Sequence, residues 1–169
     1  MLTRSFNARA LAFKSAAFAA ALSFAVAAHA QQPGPFAVLA GAWSGAGTLA
    51  LSGGSNERIR CRAKYEVAGG GSKARFELRC ASDSYKFELQ GNITYRNGEV
   101  LGDWNETTRG VAGQVTGAVS GSQIEVRVDS QTFVALLFLT TSGDRQSISI
   151  TAPSGSEMSQ ASILLNRGS

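Results

Sequence analysis

The sequence predicts an all-β protein: an antiparallel up-and-down β-barrel of eight to ten strands, calycin-like in architecture, preceded by a cleaved signal peptide. Three observations predict it. Apolar and polar residues alternate almost continuously after residue 41, with no stretch of helical periodicity. The links between alternating segments are short and rich in glycine, leaving no room for crossover helices. Closing such a meander into a barrel removes the two sheet edges that would otherwise invite aggregation. A sandwich of two sheets is the competing architecture.

Residues 1–30 read as a leader. Arg4, Arg9 and Lys14 lie in a polar stretch, "SAAFAAALSFAVAA" is small and apolar, and "AHA" at 28–30 has the small-x-small pattern of a signal-peptidase site. The alternative is an uncleaved anchor, but the apolar run falls short of the roughly 20 residues a spanning helix needs. No cysteine follows it to carry a lipid, and no later run is long enough to span a membrane as a helix. The expected compartment is periplasmic or extracellular.

Loss of the leader changes the charge and the chemistry. The remaining residues carry 13 basic against 12 acidic side chains, a net +1, so nothing in the global charge points to nucleic acid. The only histidine, His29, lies in the leader. Without imidazole there is no Ser-His-acid triad, no Cys-His nucleophile and no histidine metal site. The expectation is a non-catalytic protein with no catalytic residues, no cofactor and no metal.

Residues 31–41, "QQPGPFAVLAG", read as a flexible N-terminal segment, and residues 42–167 as one barrel domain. The first strand places Trp43, Gly45, Gly47, Leu49 and Leu51 on one face. "CRAKYEVAGGGSKARFELRC" then reads as a hairpin turning between Gly70 and Gly71. Pairing Val67 with Ala74, Tyr65 with Phe76, Ala63 with Leu78 and Cys61 with Cys80 matches every apolar group inward. Cys61 and Cys80 thus face each other on one rung, close enough for a disulfide. With no Cys-x-x-Cys spacing, this is a structural staple.

Tyr85, Phe87, Leu89, Ile93 and Tyr95 form the next inward row, and Asn97-Gly98 marks a tight hairpin. The chain returns through Val100, Gly102, Trp104 and Glu106, then continues through "VAGQVTGAVSG" and "QIEVRVD". "TFVALLFLTT" is apolar on both faces, so the lead-in segment or another chain is expected to cover one side. "RQSISIT" and "ASILLNR" complete the barrel.

The inward glycines either leave a cavity or make room for large side chains; the expectation taken is an interior filled by Trp43, Trp104 and the tyrosines. Should a cavity exist, Trp43, Tyr65, Tyr85, Tyr95, Trp104 and Glu106 are its candidate ligand-binding residues. Glu106 is the one carboxylate the register turns inward, although a strand-end residue can equally turn outward. On the outer face, Arg60, Arg62 and Arg79 belong to a ridge of seven positive charges that reads as a solvated face or a site for an anionic partner.

"LAGAW", with Gly41-x-Trp43 opening the first strand and Arg167 ending the last, resembles the calycin arrangement of lipocalin-type barrels. That resemblance implies a first-strand tryptophan covered by a late basic side chain. "CRAKY", "LRCASDSYKFEL" and "GDWNET" resemble an uncharacterised family of small alphaproteobacterial exported proteins, which implies export and no particular activity.

Three functions follow as expectations. The first is binding of a small apolar or amphipathic ligand. The second is inhibition of a secreted enzyme: Leu39-x-Gly41-x-Trp43 with one disulfide resembles bacterial metalloprotease inhibitors, whose blocking segment would correspond to 31–40. The third is a cell-envelope interaction protein using the apolar face around Phe133 to Phe138.

Overall fold

The computed structural model describes residues 32–131, 134–153 and 156–168. The expected leader and Phe133 lie outside the described residues. Ten antiparallel strands form one closed barrel in chain order: β1 (Gly41–Leu51), β2 (Asn56–Ala68), β3 (Lys73–Ala81), β4 (Lys86–Arg96), β5 (Glu99–Glu106), β6 (Val111–Ser120), β7 (Gln123–Asp129), β8 (Val134–Ser142), β9 (Arg145–Thr151) and β10 (Met158–Arg167). Closure comes from β1, which pairs with β2 on one side and β10 on the other, so no edge is left to protect.

The register follows from the alternating pattern. Cys61 stands opposite Cys80, Tyr65 opposite Phe76 and Val67 opposite Ala74. The disulfide joins Cys61 to Cys80 with their Cα atoms 4.2 Å apart. Between β4 and β5, Asn97 and Gly98 both take positive φ, 53° and 91°. A two-residue turn of this hand matches the twist of the strands it joins.

In an up-and-down barrel, alternate turns stand at opposite ends. The turns after β2, β4, β6 and β8 share one end with the start of β1, and residues 32–40 close it. There Gly34 N–H donates to Gly70 O at 2.7 Å and Phe36 N–H to Gly71 O at 2.9 Å. Phe36 and Leu39 are fully buried, the latter in a 3-10 turn over Ala37–Leu39. A methyl group added to Gly34 would lie 2.5 Å from Gly71 O, so the two backbones need glycine to approach this closely.

Of the two covers expected for the apolar outer face of β8, the lead-in segment or another chain, the first is corrected here: the lead-in segment does not lie over it, and Leu136 remains 40% exposed. Burying Phe36 and Leu39 at the barrel end directs it elsewhere.

Candidate functional site

The barrel interior is not filled, contrary to the sequence expectation. A cavity of about 560 Å³ runs from Leu39 at the closed end to a mouth among the turns after β3, β5 and β9. Barrels of about eight strands are just wide enough for side chains to fill, and two further strands widen the interior. The wall is apolar, with Leu78, Phe87, Val115, Val126, Leu137 and Ile148 among its side chains. Its volume lies within the roughly 300–1,000 Å³ of small-molecule sites.

Of the sequence-predicted site residues, Tyr65, Tyr85, Trp104 and Glu106 line this cavity together. Trp43 and Tyr95 do not. Trp43 is buried at the closed end, where its Nε1 donates to Leu39 O at 2.7 Å. Tyr95 meets the ring of Phe36 edge-on at 6.4 Å. Both support the base of the barrel.

Polar groups occur in two places. Inside, the Tyr65 hydroxyl donates to Gln146 Oε1 at 2.9 Å, and Gln146 Nε2 donates to Thr141 Oγ1 at 3.3 Å. These groups are buried, and burial pushes the Tyr65 hydroxyl above its ordinary pKa although the bond to Gln146 opposes it.

The second group is at the mouth. Glu106 turns inward from the end of β5 and is 6% exposed. Its Oε1 accepts from the backbone N–H of Glu88 at 2.9 Å and Thr108 at 3.0 Å, and its Oε2 from Arg109 N–H at 2.7 Å. Burial raises its pKa, but these hydrogen bonds, together with one from the Thr108 side chain, outweigh burial and hold the carboxyl below its ordinary value. Glu106 thereby organises the β5–β6 turn.

That turn delivers Arg109, which sequence reasoning missed. Its guanidinium lies 4.5 Å from the centre of the Tyr85 ring. Nη1 donates to Lys86 O at 3.0 Å, Nη2 donates to Glu157 Oε2 at 3.0 Å, and Glu106 Oε2 lies 3.6 Å from Nη1. Arg109 therefore ties the β5–β6 turn to β4 and to the segment preceding β10. The sequence signal was Glu106-x-x-Arg109: a turn whose first carboxylate points inward brings the third residue back over the same mouth. The Tyr85 side of the mouth is held by Glu57, which accepts from the hydroxyls of Ser82 and Ser84.

Arg60, Arg62 and Arg79 are exposed on the outer wall, away from the cavity. Arg62 stands opposite Arg79 across β2 and β3, and Arg79 lies 3.7 Å from Glu88. Among the described residues, no group of three or more histidine, cysteine, aspartate or glutamate side chains is placed to hold a metal ion, and no helix is long and apolar enough to cross a membrane.

No protein-family model and no curated protein matches this chain. Among solved structures it is similar to Rv2717c from M. tuberculosis, with a TM-score of 0.63 at 15% identity over 79% of this chain and 94% of that one. It is also similar to the S-type phycobiliprotein lyase CPES from Guillardia theta, with a TM-score of 0.55 at 11% identity over 79% of this chain and 90% of the lyase. At these identities the likeness is one of fold, and it agrees with a calycin-like barrel.

Proposed function

We propose that this chain is an exported, non-catalytic carrier that binds one small apolar or amphipathic ligand inside its barrel. The observation that carries this reading is the cavity itself: about 560 Å³, walled by aliphatic and aromatic side chains, with its charged groups gathered at one mouth. Exposed to water, such a wall is unfavourable; covered by a ligand, it contributes roughly 25 cal/mol per Å² of apolar surface removed from solvent. The leader-like residues 1–30 and the disulfide support a periplasmic or extracellular setting. The fold shared with a phycobiliprotein lyase is compatible with a barrel that handles a ligand. The cavity is preferred over an inhibitory lead-in segment because Phe36 and Leu39 are committed to the barrel end.

Tryptophan fluorescence tests the reading. Trp104 lines the cavity and Trp43 does not, so a ligand in the barrel should change emission in wild type and Trp43→Phe but not in Trp104→Phe. At a hundredfold excess over Kd the same ligand should add about 2.7 kcal/mol of stability and raise Tm. A delipidated protein whose emission and Tm respond to no apolar or aromatic probe overturns it.

A further inference from the structure

From the arrangement of charge at the mouth we infer that the barrel takes a single-chain amphiphile with a carboxylate headgroup, bound head-out on Arg109 with its tail in the cavity. This rests on the ligand-binding reading above and adds the sign and position of the head.

The sign follows from which charged group has capacity to spare. Glu106 has little: its two oxygens accept three backbone N–H groups and face the Arg109 guanidinium. A carboxylate has about four acceptor positions, so a cationic head could reach Glu106 only by breaking the hydrogen bonds that shape the turn. Arg109 is the opposite case. Of the five N–H donors in a guanidinium, its hydrogen bonds use one on Nη1 and one on Nη2. The side chain is 35% exposed at the mouth.

The Arg109 partner most easily displaced is Glu157, whose side chain is 73% exposed and gains little from an ion pair in water. Arg109 would keep its place once Glu157 swung away, because Lys86 O and the face of Tyr85 still hold it. A ligand carboxylate can then take both Nη groups in the forked geometry that guanidinium favours. Beneath Arg109 the wall down to Leu39 is apolar apart from the Tyr65 hydroxyl, which is already bonded to Gln146, so it suits a hydrocarbon chain and offers a second charge no charged partner. Glu157 thus acts as an internal competitor for the head.

The test uses three probes of equal chain length, dodecanoate, dodecanol and dodecyltrimethylammonium, each below its micelle concentration at pH 8 and followed by tryptophan emission. Wild type should bind dodecanoate about tenfold tighter than dodecanol, as one charge-assisted contact implies, and the ammonium probe most weakly. Arg109→Gln should erase the preference, bringing dodecanoate to the level of dodecanol. Glu157→Gln should strengthen dodecanoate a few-fold by removing the competitor, and it keeps the inference testable should Arg109→Gln fold poorly. Equal binding of dodecanoate and dodecanol, a preference for the ammonium probe, or weaker dodecanoate binding by Glu157→Gln overturns the headgroup assignment while leaving a barrel that binds chains. Binding of none of the three defeats the carrier reading as well.

Discussion

The guanidinium of Arg167 lies over the indole of Trp43, 4.2 Å from its ring centre, joining the last residue of β10 to the third of β1. The two stand opposite each other in the β1–β10 ladder. Arg167 also donates to Val38 O at 2.9 Å, to Ala40 O, and through Nε to Asp144 Oδ1 at 3.0 Å. One side chain thus secures the barrel seam, the lead-in segment and the β8–β9 turn. The Gly-x-Trp and terminal arginine pattern in the sequence marks this seam.

Removing this side chain should loosen all three together. Arg167→Ala is expected to cost about 2 kcal/mol, from a partly shielded cation–π contact and the lost backbone partners. Arg167→Lys keeps a positive charge over the ring but lacks the fork that reaches Val38 and Ala40, so it should fall between. Urea denaturation measures both. An Arg167→Ala midpoint indistinguishable from wild type would remove the seam from the account of stability.

The disulfide predicts a different signature. Cys61 and Cys80 are separated by 19 positions, and a crosslink closing a loop of this size is worth about 3 kcal/mol in the chain-entropy model. Neither cysteine lines the cavity. A reductant should therefore lower the denaturation midpoint while ligand affinity under native conditions stays the same. Loss of binding on reduction at a temperature where the barrel remains folded would show that the staple shapes the site.

What could be read from sequence depended on whether a rule of period two applied. The β2–β3 register was legible because a one-residue slip would expose Cys61, Tyr65, Phe76 and Leu78 together. The Asn97-Gly98 turn was legible because few residues accept positive φ at two successive positions. Barrel width was not: alternation says which side chains point inward but not how far they stand from those across the barrel. For the same reason Trp43 and Trp104 look alike in sequence, although one is buried at the closed end and the other lines the cavity. Arg109 escaped because it lies in a turn, where direction is set by the bonds of Glu106 and not by periodicity.

The inward glycines allow strands to crowd, which gives a third prediction. A methyl group on Gly45 would lie 2.0 Å from Leu164 O of β10, and one on Gly113 1.7 Å from Asp129 O of β7. Neither contact is possible without moving backbone. Gly45→Ala and Gly113→Ala should each destabilise by about 1–3 kcal/mol, as overpacking does. Gly53 is the control, since a methyl there meets no atom within 4 Å and its φ lies outside the left-handed region. Gly53→Ala should be neutral or stabilising by up to about 1 kcal/mol. Equal effects at all three positions would refute the crowding argument.

The last prediction concerns Glu106 and acid. Burial raises the pKa of this carboxyl, yet hydrogen bonds from the Glu88 N–H, from the side chain and N–H of Thr108 and from the Arg109 N–H bring it below its ordinary value of 4.5. A carboxyl with a depressed folded pKa binds its proton more weakly in the folded protein than in the unfolded chain. Its stabilising contribution is therefore complete above the unfolded pKa and is lost as pH falls through the lower folded value. Glu106→Gln removes one acceptor oxygen and turns an amide donor toward backbone donors, which should cost about 1–3 kcal/mol at neutral pH. The stability gap between wild type and Glu106→Gln should therefore stay constant from pH 7 down to the ordinary value of 4.5 and narrow as pH falls further, because wild type then loses the charge that the variant never had. Urea midpoints across that range measure the gap. A gap that stays constant below that value as well would mean that the ionised carboxylate is not what holds the turn, and Arg109 would then need another anchor at the mouth.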